Sequence, residues 1–314
     1  MKLRALFPTA AAALALFSAG CAYPNEEAAS AAAEPAIAEA EEVAVGQNGP
    51  AMWQVADEDT TLYIFGTIHM LPDTVEWYSG DVKTALESSD TLVTEIDMTP
   101  ENMASLGTTM AQLGTLPEGQ TLRGLMNDDQ RAKYEGGLAK LNIPPEAFDT
   151  MEPWFASLAM TQIIAGASGF TPDKGVEFSL EDKISPDVKR AALETFESQL
   201  AAFDEMPIDA QMAFLIDGAE DPLEGIEILN QLVDLWAAGK VDELADLMND
   251  GFETNPILAE RLLYNRNQAW AGWIEERLDT PGTVFIAAGA LHFAGEKSVQ
   301  DYLSQRGIKT KRVQ

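Results

Sequence analysis

Two histidines are all that this 314-residue chain contains. Each closes a Gly-x-x-His pattern at the end of an apolar run, in Leu62-Tyr-Ile-Phe-Gly66-Thr-Ile-His69 and in Val284-Phe-Ile-Ala-Ala-Gly289-Ala-Leu-His292. Imidazole is the side chain best suited to metal ligation and proton transfer near neutral pH. With glycine near 7% of residues, the chance that both histidines follow a glycine at this offset is roughly half a percent. Either motif alone reads as a strand followed by a turn; together they point to one shared site.

Glu95 is the natural third member. It sits in Leu92-Val-Thr-Glu-Ile-Asp97, an otherwise apolar strand end where an unpaired carboxylate would be costly. Two imidazoles and one carboxylate, with a position left open, suit a catalytic divalent metal ion, so His69, His292 and Glu95 are the expected ligands. A fourth group comes from a helix expected over Asn265 to Leu278. Trp270, Trp273, Ile274 and Leu278 form its apolar stripe, and Arg266 lies one turn before Trp270 on that face. A buried guanidinium needs an anion, whether a structural carboxylate, a site glutamate or a substrate oxyanion. Asn267 stands beside it. Gly136-Gly137 and Gly166 lack the spacing of a phosphate loop, and the twelve methionines are scattered as core filler.

The elements that must position these groups read as a sheet split by helices. Met52 to Ala56 and Thr61 to Phe65 form a hairpin about Asp57-Glu-Asp59, Val82 to Ser88 a helix, and Thr91 to Ile96 a long strand. The spacing from Phe65 to Thr91 suits a right-handed crossover between parallel strands. Residues from Pro100 to about Ser168 turn helical, with Phe155, Leu158, Ala159, Gln162 and Ile163 as one stripe. A strand over Val188 to Leu193 follows, then helices from Ser198 to Leu278. The chain closes with strand Thr283 to Ala288, helix Glu296 to Gln305 and strand Ile308 to Val313. The expected class is α/β, a central mixed and largely parallel sheet flanked by helices, with a large helical insertion over about 100–170 and 198–278. His69, Glu95 and His292 then fall at or just beyond the carboxyl ends of strands, where open α/β sheets build their sites.

The N-terminus carries a basic Met1-Lys-Leu-Arg4, an apolar stretch from Ala5 to Phe17 and a small-residue run Ser18-Ala-Gly-Cys21. This resembles a bacterial lipoprotein signal over residues 1–20, and implies a lipid on Cys21, the single cysteine, and a periplasm-facing protein held at the outer membrane. Residues 21–49 combine six glutamates with alanine and scattered proline and no Lys or Arg, the composition of an acidic tether. A formal net charge of −31 repels a phosphate backbone and argues against nucleic-acid binding.

In combination and in order, several pieces resemble the TraB/GumN family: Leu-Tyr-Ile-Phe-Gly-Thr-Ile-His69, Leu-Val-Thr-Glu95-Ile-Asp, Pro153-Trp154, Gly175-Val-Glu177, Leu193-Glu194-Thr-Phe-Glu-Ser-Gln199, Arg266-Asn267-Gln-Ala-Trp270 and Gly289-Ala-Leu-His292-Phe-Ala-Gly295. The resemblance spans roughly residues 51 to 313, within one domain expected over 50–314. It implies kinship with Tiki-type metalloproteases, erythromycin esterases and ChaN-like haem-uptake lipoproteins, which share paired Gly-x-x-His motifs on an α/β core. It further implies a hydrolytic or metal-dependent site containing His69, His292, Glu95, Arg266 and Glu194, the last, just past a strand ending at Leu193, being a candidate general base or extra ligand, or else a carboxylate that favours a helix start. Glu177 stands where the family commonly has Asp, and Leu291 to Phe293 replaces a common glycine-His-leucine run. The leading expectation is a metal-dependent hydrolase of the cell envelope using Mn, Co or Zn, with peptidases among the candidate classes, acting on an unidentified peptide or small molecule. A lipoprotein that binds haem, metal or peptide without turnover is the first alternative, and a metal-free esterase with a histidine base is the second.

Overall fold

A computed structural model describes residues 49–314. The expected signal, Cys21 and all of the tether except Gly49 fall outside the described residues. The sheet has six strands, β1 (Met52–Ala56), β2 (Thr60–Thr67), β3 (Thr91–Thr94), β4 (Lys189–Ala192), β5 (Gly282–Gly289) and β6 (Lys311–Arg312), in the order β4-β3-β5-β2-β1-β6. The four strands from β4 to β2 run parallel, whereas β1 pairs antiparallel with β2 and with β6. The mixed, mostly parallel α/β architecture is therefore as expected.

β2 and β5 are the centre of the sheet. Both are packed on both faces, which explains why they read as near-continuous apolar runs rather than alternating ones. Phe65, Phe285 and Ala287 face one core with Trp77 and Trp236; Leu62, Ile64, Val284 and Ile286 face the other with Trp270 and Ile274. A third cluster lies within the helical insertion, where Tyr134, Leu138, Ala159 and Leu215 meet. Gly137 lets two of these helices touch, since a Cβ there would stand 1.6 Å from the Ala219 carbonyl oxygen. The helix Pro153–Ala167 is buried on more than the single stripe expected: Trp154, Ala156, Ser157, Leu158 and Ala159 are all inaccessible to solvent. It runs through the middle of the insertion, with the sheet-side core on one flank and the third cluster on the other.

Several boundaries moved. β2 and β3 are parallel but not neighbours, because β5, nearly two hundred residues later in the chain, is inserted between them. β3 ends at Thr94, leaving Glu95 on the first residue past the strand. The last helix starts at Val299, where the Ser298 hydroxyl caps it, rather than at Glu296, and β6 keeps two of the six residues expected for it. Among the described residues no helix is long and apolar enough to cross a membrane.

Candidate functional site

The parallel register of β2 and β5 aligns Gly66 with Ala288 and Thr67 with Gly289, so both Gly-x-x-His turns leave the sheet at the same edge and level. β3 lies on the other side of β5 and delivers Glu95 there as well. Pairing between β3 and β4 continues one step past the strands, the Glu194 amide donating to the Glu95 carbonyl at 3.0 Å, which sets the two carboxylates side by side. Arg266 reaches in from the Asn265–Leu278 helix.

Glu95 is the hub. Its Oε1 accepts the Gly289 amide at 2.7 Å and stands 3.7 Å from His69 Nε2 and 3.9 Å from His292 Nε2. Its Oε2 accepts from Arg266 Nη2 and from Gln199 Nε2, the latter at 2.9 Å. Arg266 also donates to Glu194 Oε1 through Nη2 at 2.5 Å and through Nε at 3.0 Å, and Gln199 bridges to that same oxygen at 3.2 Å. The guanidinium thus holds two carboxylates while lying over the Trp270 ring at 4.8 Å. Its Nη1 donates to the Leu262 carbonyl at 2.9 Å, a carbonyl inside the π-helical turn Glu260–Tyr264 that leads into the helix. Such turns interrupt regular helices mostly where a functional group needs aiming.

The two imidazoles are in different states. Arg266 Nη1 lies 3.2 Å from His292 Nε2, and a guanidinium has only donors, so Nε2 is the acceptor. His292 Nδ1–H then donates to Asn267 Oδ1 at 2.6 Å, and Asn267 in turn donates to the Lys297 carbonyl at 2.9 Å. Burial, reinforced by the Arg266 charge, holds the His292 pKa well below its usual value, so this ring is neutral. His69 Nδ1 sits 2.8 Å from Glu177 Oε1, which also accepts the Thr67 hydroxyl. Burial alone would lower the His69 pKa, but the Glu177 charge and hydrogen bond, with help from Glu95, outweigh it and raise the value. Its Nε2 is buried without a hydrogen-bond partner and faces the gap toward Glu95. Burial pushes against ionised Glu95 and Glu177 as well. In Glu95 the charge of Arg266, foremost, wins, in Glu177 the charge and hydrogen bond of His69, and both pKa values fall. In Glu194 burial wins over Arg266, and the pKa is raised.

All six residues singled out in the sequence, His69, Glu95, Glu194, Arg266, Asn267 and His292, are in this one network. Glu177 and Gln199, quoted there only within motifs, belong to it too. Glu177 arrives on a short helix whose start is tied to the first histidine turn: the Val176 amide donates to the Ile68 carbonyl at 3.0 Å, and a Cβ on Gly175 would stand 2.0 Å from the His69 carbonyl oxygen. A glycine followed two residues later by an acid, after a helix rich in small residues, was the signal available for it.

The donors suit a divalent ion in kind. Ligand atoms on a tetrahedral ion with bonds of 2.0–2.1 Å stand about 3.4 Å apart, close to the 3.7 and 3.9 Å seen here. Glu95 Oε1 has a lone pair to give, and His69 Nε2 has one once the ring is neutral, whereas that of His292 Nε2 accepts from Arg266, which must withdraw Nη1 before all three could bind one ion. Among the described residues, no group of three or more His, Cys, Asp or Glu is drawn together as a finished ligand shell. A cavity opens above the cluster, with His69, Arg266, Gly289 and His292 on its floor and leucine and phenylalanine side chains on its walls.

No curated protein and no solved structure matches the chain. The family model described as TraB/PrgY/gumN matches residues 51–312, and the chain belongs to that family.

Proposed function

We propose that this protein is a metal-dependent hydrolase of the bacterial cell envelope, with a peptide or a related acyl compound as substrate. The reading rests on one observation, the convergence of His69 Nε2 and His292 Nε2 on the single oxygen Glu95 Oε1. These three side chains would hold the ion, and Arg266 would keep Glu95 aligned while turning Nη1 from His292 toward the oxyanion that forms on the substrate. The ion, when bound, would lower the pKa of a coordinated water. Glu177 acts from behind, holding the His69 ring by Nδ1 as outer-sphere carboxylates commonly do. Glu194, whose affinity for a proton burial raises, takes the proton from water and returns it to the leaving group. The water oxygen joins the carbonyl carbon, and the bond to the leaving oxygen or nitrogen breaks. The lipoprotein-like Ser18-Ala-Gly-Cys21 supports an envelope location with a lipid on Cys21.

A metal-free esterase is the second reading, favoured by the Arg266 contact to His292 Nε2. His69 Nε2 would then be the base, oriented by Glu177 as a carboxylate orients a catalytic imidazole. Purified protein assayed on peptides and esters, with chelator and with re-added Mn, Co or Zn, separates the two. Loss of activity with chelator and its return with one ion supports the first, chelator-insensitive turnover that needs His69 supports the second, and a haem absorption band or tight binding without turnover sinks both.

A further inference from the structure

We infer that the substrate presents an uncharged acyl group with a long apolar chain, bound with the chain in the wall of the cavity and the carbonyl on its floor; this deepens the hydrolase reading and rests on it. The walls are Phe203, Leu232, Leu244, Phe252, Leu263 and Leu291, with no charged side chain among them. Five of these come from helices of the 198–278 insertion, outside the α/β core that supplies the ligand-type residues, so the insertion builds a chamber rather than merely covering the sheet. Such a chamber gives affinity by removing methylenes from water.

The polar end is as restricted as the walls. Arg266 is the only Lys or Arg among the described residues lining the cavity, and Glu95 and Glu194 already share its guanidinium. While no ion is bound, no Lys or Arg is left to receive a carboxylate at the inner end of a ligand, His69 is already paired with Glu177, and a chain of net charge −31 repels anions as they approach. A neutral carbonyl meets neither obstacle. It can take a hydrogen bond from Arg266 Nη1 in place of His292 Nε2 and lie beside His69 Nε2, the buried nitrogen without a partner. The chemistry that fits is therefore an ester or amide of an aliphatic acid, not the free acid and not a peptide C-terminus.

Two measurements on the full domain keep the substrate class and the hydrolase reading apart. In the first, calorimetry on metal-free protein compares butanamide, octanamide and octanoate, which need no turnover. Each methylene moved out of water is worth about fourfold at most, so octanamide should bind from about tenfold to about two-hundred-fold tighter than butanamide, and octanoate should bind more weakly than octanamide. Leu263→Trp, which fills the chamber from a half-buried wall position, should erase most of the difference; if that variant does not fold, Leu291→Trp replaces it. In the second, nitrophenyl esters of acetate, butyrate and octanoate are offered to protein loaded with the active metal, and kcat/KM should rise along the series. Equal binding of both amides, or tighter binding of octanoate, overturns the inferred class. Chain-length-dependent binding with no hydrolysis of any ester leaves the class standing and refutes the hydrolase.

Discussion

Replacing Arg266 with methionine tests the hub most directly. The change keeps the bulk of the side-chain stem but removes a cation that is 7% exposed and that contacts Glu95, Glu194, His292 and the Leu262 carbonyl at once. Breaking a buried ion pair from one side costs about 3–5 kcal/mol, because the remaining charge is stranded. Here two carboxylates are stranded, yet the cost stays within that range, since burial already raises the proton affinity of Glu194 and loss of Arg266 raises it further. The sign of the pH dependence follows. Without Arg266 the folded-state pKa of both glutamates rises above the unfolded value, so stability is lost as pH rises and the penalty is larger at pH 8 than at pH 5. Urea unfolding read as a shift in midpoint at constant slope measures it. Adding Glu95→Gln to Arg266→Met should restore about 1–3 kcal/mol, as expected of residues in direct contact. A penalty below about 1 kcal/mol at pH 8, or strict additivity in the double variant, would refute the reasoning.

His69→Ala and Glu177→Gln should each lower kcat/KM by about 10²-fold or more while the fold persists, read by kinetics and circular dichroism. Gly289→Ala places a methyl 3.2 Å from Glu95 Oε1 and 3.5 Å from His69 Nε2, its three nearest neighbours all being side-chain atoms; it should fold, and lose activity and metal binding together. Asp217, pushed up from 3.8 to about 6 by burial and then by Glu220, holds its proton more tightly folded than unfolded, so its contribution to stability is lost between those pH values. Asp217→Asn should then stabilise the protein above pH 6 by about 1 kcal/mol, a figure reduced for its partial exposure, measured by urea unfolding at pH 4 and 7. Cys21→Ser should leave the protein unprocessed or shift it out of the membrane fraction, and normal processing with unchanged fractionation would exclude lipidation there.

The sheet and the site were legible for a shared reason. Strands buried on both faces leave long apolar runs, and the polar residues that end those runs, His69, Glu95 and His292, have few local purposes other than a site. Arg266 and Asn267 could be placed because the helical period puts them on the stripe of Trp270. Glu177 was harder: it lies on a six-residue helix with no usable period, and its value comes from the close approach of Gly175 to a backbone more than a hundred residues earlier. Gln199 looks like an ordinary helical polar residue until Glu95 and Glu194 are brought to it. The Arg266 contact to His292 was beyond reach, since it depends on the angle at which a π-turn delivers one side chain.

The place of β5 has a consequence for how the molecule comes to exist. Strand order runs 4-3-5-2 through the middle of the sheet, so every residue from Thr60 to Leu278 can have been synthesised and delivered while a strand-wide slot still separates β2 from β3. Only when residues 282–289 slide into that slot do Gly289 and His292 arrive beside Glu95 and His69. Closing a contact over so great a length of chain is slow, and until it happens the apolar faces of β2 and β3 stay open to chaperones or to aggregation. Maturation of the centre is thereby tied to arrival of the final strands, and a chain cut short before Gly282 keeps Arg266 with Glu95 and Glu194, and His69 with Glu177, but lacks Gly289 and His292.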